Sequence, residues 1–130
     1  MSSAEEKMKI EISVGNISLS ATLADNETAR MIYNSLPIES SYNVWGDEFY
    51  FAIPIYMDIE EGREIMEIGE LGYWPPGHAF CIFFGKTPAS TDDRPRAASE
   101  VSPFGRTDGD ATVLRQAKAS TIAVKRWKEE

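Results

Sequence analysis

Cysteine and histidine are almost missing from this chain: 130 residues hold one of each, Cys81 and His78. One cysteine excludes an intramolecular disulfide. One histidine and one thiol leave a zinc site short of its usual soft or imidazole ligands. Ser90, Ser99 and Ser102 are formal candidates for a Ser-His-Asp triad, yet no Gly-x-Ser-x-Gly elbow accompanies them. Basic residues are also few, 13 against 21 acidic ones, for a formal charge of −8 and no Lys/Arg-rich run. Such a balance repels phosphate backbones and removes the electrostatic basis of non-specific nucleic-acid binding. No apolar stretch approaches the roughly 20 residues of a membrane span. The stretch 1–7 lacks the apolar core of a signal peptide. A cytoplasmic protein without membrane or nucleic-acid partners is expected. Glycine-rich phosphate loops, dinucleotide fingerprints and internal repeats are absent too. The carboxylates at Asp58, Glu60, Glu61, Glu64, Glu67 and Glu70 follow no EF-hand spacing and read as a solvated acidic rim. No metal or cofactor is therefore expected.

What the chain does contain is ordinary globular material, 42% apolar and 26% charged. Its length suits a single domain that buries about two-thirds of the unfolded surface. We expect a flexible tail over 1–7 and one domain over 8–128. Met8, Ile10, Ile12 and Val14 alternate with polar residues. After Gly15 and Asn16, Ile17, Leu19, Ala21 and Leu23 alternate again, which predicts a β-hairpin. The period then lengthens: Ala29, Ile32, Tyr33 and Leu36 recur at helical spacing behind a cap at Asp25 or Asn26, and Pro37 ends the helix. Strands are expected near 38–45 and 48–56, with Pro54 marking an edge, a bulge or a strand end. A short strand at 65–68, an apolar strand at 78–84 and a strand at 101–106 follow. A long polar loop spans 85–99, the length of loop that carries function or mobility. Asp108 or Asp110 can cap a second short helix near 109–117, and 120–127 closes the chain as a strand. Within the apolar run His78–Phe84, Cys81 reads as a small buried hydrophobe, and an extended strand would put it and His78 on opposite faces. About eight short strands joined mainly by hairpins, with two short helices, point to a barrel closed by its own strands.

The segment from Gly69 to Pro88 carries Tyr73, Trp74, Pro75, Pro76, Gly77 and His78 ahead of an unbroken apolar run. It resembles the signature of a small bacterial and archaeal family with a cyclophilin-like fold. The later pieces 101–106 and 109–114 look like that family's next strand and helix, so the resemblance covers about residues 8 to 127. It implies a closed cyclophilin-like β-barrel and names no reaction. True cyclophilins are prolyl isomerases. The comparison with them implies a catalytic arginine on the strand pair after the first helix, beside a phenylalanine-rich floor and a tryptophan. Residues 38–57 contain neither arginine nor lysine, and the cyclophilin Phe-His-Arg run is absent.

Two readings of the aromatic segment stay open. In one, Tyr73, Trp74 and His78 wall a pocket, with Phe80 beneath, the 85–99 loop alongside and His78 ready for hydrogen bonding or proton transfer. In the other, the same residues form a stiff turn packed over a barrel end. Arg106 follows the glycine of the 101–106 strand and could clamp a carboxylate or phosphate at a pocket mouth. Tyr73, Trp74, His78, Phe80 and Arg106 are therefore the candidate ligand-binding residues, and none is assigned as catalytic. The expected function is a non-enzymatic binding module for a peptide or small anionic ligand. The alternatives are a diverged prolyl isomerase and a histidine- or metal-dependent hydrolase.

Overall fold

The computed structural model describes residues 8–128; the expected tail, 1–7, lies outside them. The alternating N-terminal segments form β1 (Lys9–Val14) and β2 (Ile17–Leu23), with Ile12 opposite Leu19. Gly15 turns the hairpin at φ 62°, a left-handed conformation that costs glycine little. Helix α1 (Glu27–Ser35) starts at Asn26, whose side chain accepts the Ala29 N–H, and it buries Ala29 and Ile32. Next come β3 (Ile38–Ser41), β4 (Asn43–Val44) and β5 (Glu48–Ala52). Pro54 falls just beyond β5, at a strand end where its missing N–H costs no ladder bond. The chain continues through β6 (Arg63–Ile65), β7 (Glu70–Trp74), a 3-10 turn at Pro75–Gly77 and β8 (Ala79–Phe83). It ends with β9 (Arg96–Thr107), a 3-10 helix at Ala111–Gln116 and β10 (Thr121–Arg126).

Several boundaries differ from expectation. The strand expected at 65–68 forms earlier, as β6. Tyr73 and Trp74 belong to β7 and not to a turn, because the register with β8 runs through Trp74 opposite Ala79. The long loop stops at residue 95, since β9 already pairs with β6 from Arg96. The second helix is 3-10 and is capped by Asp110. Asp108 instead accepts hydrogen bonds from Ser20 and Thr22, each at 2.7 Å.

Among the described residues ten strands run antiparallel, in the order β3-β10-β1-β2-β9-β7-β8-β5-β4 with β6 attached to β9. The described residues are thus mostly β, with helix α1 and two short 3-10 segments. A ring of hydrogen bonds, expected for a closed barrel, is not what the ladders make: the order has two ends. The reason lies in the terminal strands, which are consecutive in the chain. β3 pairs outward with β10 and β4 outward with β5, so no ladder joins the two to each other. Among the described residues no helix is long and apolar enough to cross a membrane.

The sheet has two buried faces. On the main one Phe51 stacks on Phe80 at 5.0 Å and Phe80 meets Phe104 edge-on at 5.1 Å. A smaller cluster on the other face gathers Met66, Ala79, Cys81, Phe83, Ala97 and Val101, with Tyr50 and Trp74 packed against it. β8 lies between the two clusters and is buried along its whole length, which is why its sequence is unbroken apolar and not alternating.

Candidate ligand-binding site

β5 sends Phe49 and Phe51 to the main core, so strand alternation sends Glu48 and Tyr50 to the smaller face. Glu48 is only 5% exposed, and its Oε1 has no hydrogen-bond partner among the described residues. Burial raises its carboxyl from the ordinary 4.5 to about 7, with the Cys81 thiol alongside offsetting part of the rise. Burial and the Glu48 carboxyl in turn push the Cys81 thiol well up. A protonated, fully enclosed thiol is a packing group, not a nucleophile. A buried acceptor left unpaired costs about 1–3 kcal/mol. Native folds keep few such groups, and each calls for a reason.

The carboxyl sits in the wall of a cavity of about 210 Å³, shared with Trp45, Tyr50, Trp74, Ala97, Ala98 and Val101. Two of the large residues have local anchors, Trp45 through its backbone and Trp74 through its ring. Trp45 opens a tight turn in which its N–H donates to the Glu48 carbonyl at 2.9 Å, with Gly46 at φ 62°. Trp74 donates its indole N–H to Ser99 Oγ at 2.7 Å. Gly77 lets that indole lie close to the chain, because a Cβ there would come within 2.9 Å of Cε3 and Cζ3. Tyr50 and Trp74 stand at 75° with centroids 6.4 Å apart, so their planes form a corner. Ala97 and Ala98 on β9 leave the space that larger side chains would fill. The Trp74 ring is held before any ligand arrives, which lowers the ordering cost of binding.

The five residues singled out by sequence do not converge. Tyr73 is fully buried in the main core, where its hydroxyl donates to the Ile55 carbonyl at 2.5 Å. Phe80 lies in the same core. His78 is exposed in a left-handed conformation (φ 48°), its ring edge-to-face with Tyr56 at 4.2 Å. Trp74 alone reaches the cavity. Sequence reasoning missed Trp45, Glu48 and Tyr50 because an acidic residue in an alternating strand reads as solvent-facing. The unbroken apolar run of β8 was the available signal. A strand covered on both faces implies that its neighbour's alternate residues are covered as well.

Arg106 lines a separate and wider groove of about 1250 Å³. Three arginines, Arg30, Arg63 and Arg106, face it alongside five carboxylates, Asp25, Glu60, Glu61, Glu70 and Asp108. Arg63 grips Glu70 through two bonds of 3.0 and 2.7 Å. Burial alone would raise the Glu70 carboxyl, but the Arg63 bonds and the nearby Arg106 charge bring it below its ordinary value. Glu60 serves as a remote cap for α1. Its carboxylate accepts from Thr28 Oγ1 at 2.7 Å and from the Thr28 N–H at 2.9 Å, while its own N–H donates to Ser102 Oγ at 2.8 Å. These bonds hold the Glu60 carboxyl below its ordinary value. The acidic segment expected as a solvated rim thus contains a fold-closing contact, since the first-turn N–H groups of a helix need acceptors. Ser90, Ser99 and Ser102 each hydrogen-bond elsewhere, and none is bonded to His78 among the described residues. Among those residues no group of three or more His, Cys, Asp or Glu side chains is placed to hold a metal ion.

A mostly antiparallel β domain with an aromatic cavity on the second face of its sheet is the class that fold and site together define. The chain belongs to the cyclophilin-like family, whose model matches residues 8–126. It is similar to a hypothetical protein from Archaeoglobus fulgidus known from its solution structure. The two share 34% identity over 93% of this chain and 95% of the other, with a TM-score of 0.77. Among curated proteins no match is found.

Proposed function

We propose that this cyclophilin-like domain is a binding module of the cytoplasm, and that its ligand enters the cavity formed by Trp45, Glu48, Tyr50 and Trp74. The observation carrying this reading is a buried carboxyl, Glu48, in the wall of a cavity otherwise lined by aromatic and small apolar side chains. A buried carboxyl in such a wall gains when an occupant brings it a donor. The ligand is therefore a small molecule, or the end of a peptide, with a hydrogen-bond donor on an apolar body. The small anion expected from sequence suits the cavity poorly, because no arginine, lysine or histidine lines it among the described residues. The arginine-bearing groove is a weaker anion site still, with five carboxylates beside its three guanidinium groups. The scaffold supports a well-defined site: β3 and β4, the two ends of the sheet, are separated in the chain only by Tyr42.

Prolyl isomerisation is the less favoured reading. The cavity face of β5 presents Glu48 and Tyr50, and stabilising a twisted prolyl amide calls for a cationic donor. The test is a ligand-observed NMR screen of small neutral, acidic and basic fragments against the full chain, with Trp74→Ala and Trp127→Ala as controls. Binding lost in Trp74→Ala and kept in Trp127→Ala is expected. Equal loss in both variants, or in neither, refutes the cavity as the site.

A further inference from the structure

Among the described residues lining the cavity, only Glu48 and Tyr50 can ionise, and none carries a positive side chain. Trp74 has already given its indole N–H to Ser99. The polar demand of the cavity is thus one-sided: an acceptor that is most costly to bury when it is a bare anion. Its other walls are three rings and the small apolar residues Ala97, Ala98 and Val101 of β9. Tyr50 and Trp74 meet at 75°, and Trp45 adds a third aromatic surface. Aromatic faces attract a desolvated cation through their quadrupole, and cages of this kind are a known solution for alkylated ammonium groups. A volume of about 210 Å³ equals that of roughly seven waters at ~30 Å³ each, room for an ammonium head with a few carbons. The chain's formal charge of −8 also draws cations toward its surface.

We infer that the cavity binds a small organic ammonium group, with Glu48 as its buried counter-ion and Trp45, Tyr50 and Trp74 as its ring walls. This rests on the reading of the cavity as the ligand site and names the ligand's chemical class. Cation binding requires the ionised carboxylate. The carboxyl titrates at about 7, so below that pH the ligand must displace a proton, and affinity falls about tenfold between pH 8 and pH 6. Few other groups face Glu48. β8 brings the Cys81 thiol, pushed well up by burial. β5 brings Tyr50, β7 Trp74, and β9 only Ala97, Ala98 and Val101. A single inflection is the expected profile.

Tetramethylammonium chloride is the probe, since its charge does not change with pH. Propionamide and tert-butanol serve as neutral comparators, all at constant ionic strength. Indole N–H resonances of the full chain report binding at pH 6 and pH 8. The expected result is movement of the Trp45 and Trp74 signals but not that of Trp127, with about tenfold tighter binding at pH 8 than at pH 6. Glu48→Gln, of nearly the same shape, should keep the folded spectrum and lose both the ammonium response and its pH dependence. If propionamide binds as well as tetramethylammonium, or Glu48→Gln binds the cation like the parent, the ammonium assignment is wrong while the cavity remains a site. If no probe moves Trp45 or Trp74 at either pH, both this inference and the proposed function fall.

Discussion

Replacing Glu48 by glutamine tests the energetics of the cavity without any ligand. The carboxyl is 5% exposed and rises from 4.5 to about 7 on folding. At about 1.4 kcal/mol per pH unit, ionising it in place costs the native state about 3 kcal/mol. The native protein holds this proton to a higher pH than the unfolded chain does. The associated stability is fully present below pH 4.5 and is lost as pH rises through about 7. Glutamine has nothing to ionise, so the variant escapes the loss. Glu60, Glu70 and Asp108, all held below their ordinary values, are ionised in both states above pH 5 and do not contribute within the window. Urea unfolding at pH 5 and pH 8 isolates the effect as a difference of differences. Relative to the parent, Glu48→Gln should gain about 2–3 kcal/mol between the two pH values. For a domain of this size that is roughly 10 °C in Tm. Parallel stability profiles for the two proteins would refute the claim that Glu48 is a buried carboxyl ionising at a cost.

Tyr73→Phe removes the donor to the Ile55 carbonyl and should cost about 1–2 kcal/mol in urea unfolding. Because Tyr73 faces the main core, the Trp45 and Trp74 resonances should be unmoved, and a change at either would contradict the two-face description. Glu60→Ala strips the acceptor from the first turn of α1 and should cost about 1 kcal/mol, as loss of a helix cap does. Amide exchange at Thr28 should accelerate, and unchanged protection there would show that the contact is idle. Gly77→Ala places a Cβ within 2.9 Å of the Trp74 ring and should shift the Trp74 indole resonance and weaken any cavity ligand. A Trp74 signal identical to the parent's would overturn the claim that Gly77 sets the ring's position. In a coupled peptide assay the chain should show no prolyl isomerisation above the uncatalysed rate, since residues 38–57 carry no arginine or lysine.

The local elements were legible in the sequence alone. Period-two alternation through Val14 and Leu23, a cap at Asp25 or Asn26 and the stop at Pro37 each act through contacts a few residues apart. The aromatic block ending at His78, with the apolar run behind it, was enough to name the family. What the sequence could not settle was which residues share a surface. Tyr73 and Trp74 are neighbours in the chain, yet adjacent strand residues point to opposite faces, so one supports the core and the other walls a cavity. Phe80 and Arg106 parted for similar reasons, one inward under Phe51 and one into a groove. Glu48 was invisible because whether an alternating strand has a wet face depends on what covers it. Here the cover is β9 and the turn bearing Trp45, brought together by pairings across tens of residues. Propensity and pattern therefore determined most of the strands and their order of appearance, but not β7, whose Tyr73 and Trp74 read as a turn. Tertiary structure decided burial, and with it which carboxyl stands unpaired inside the protein.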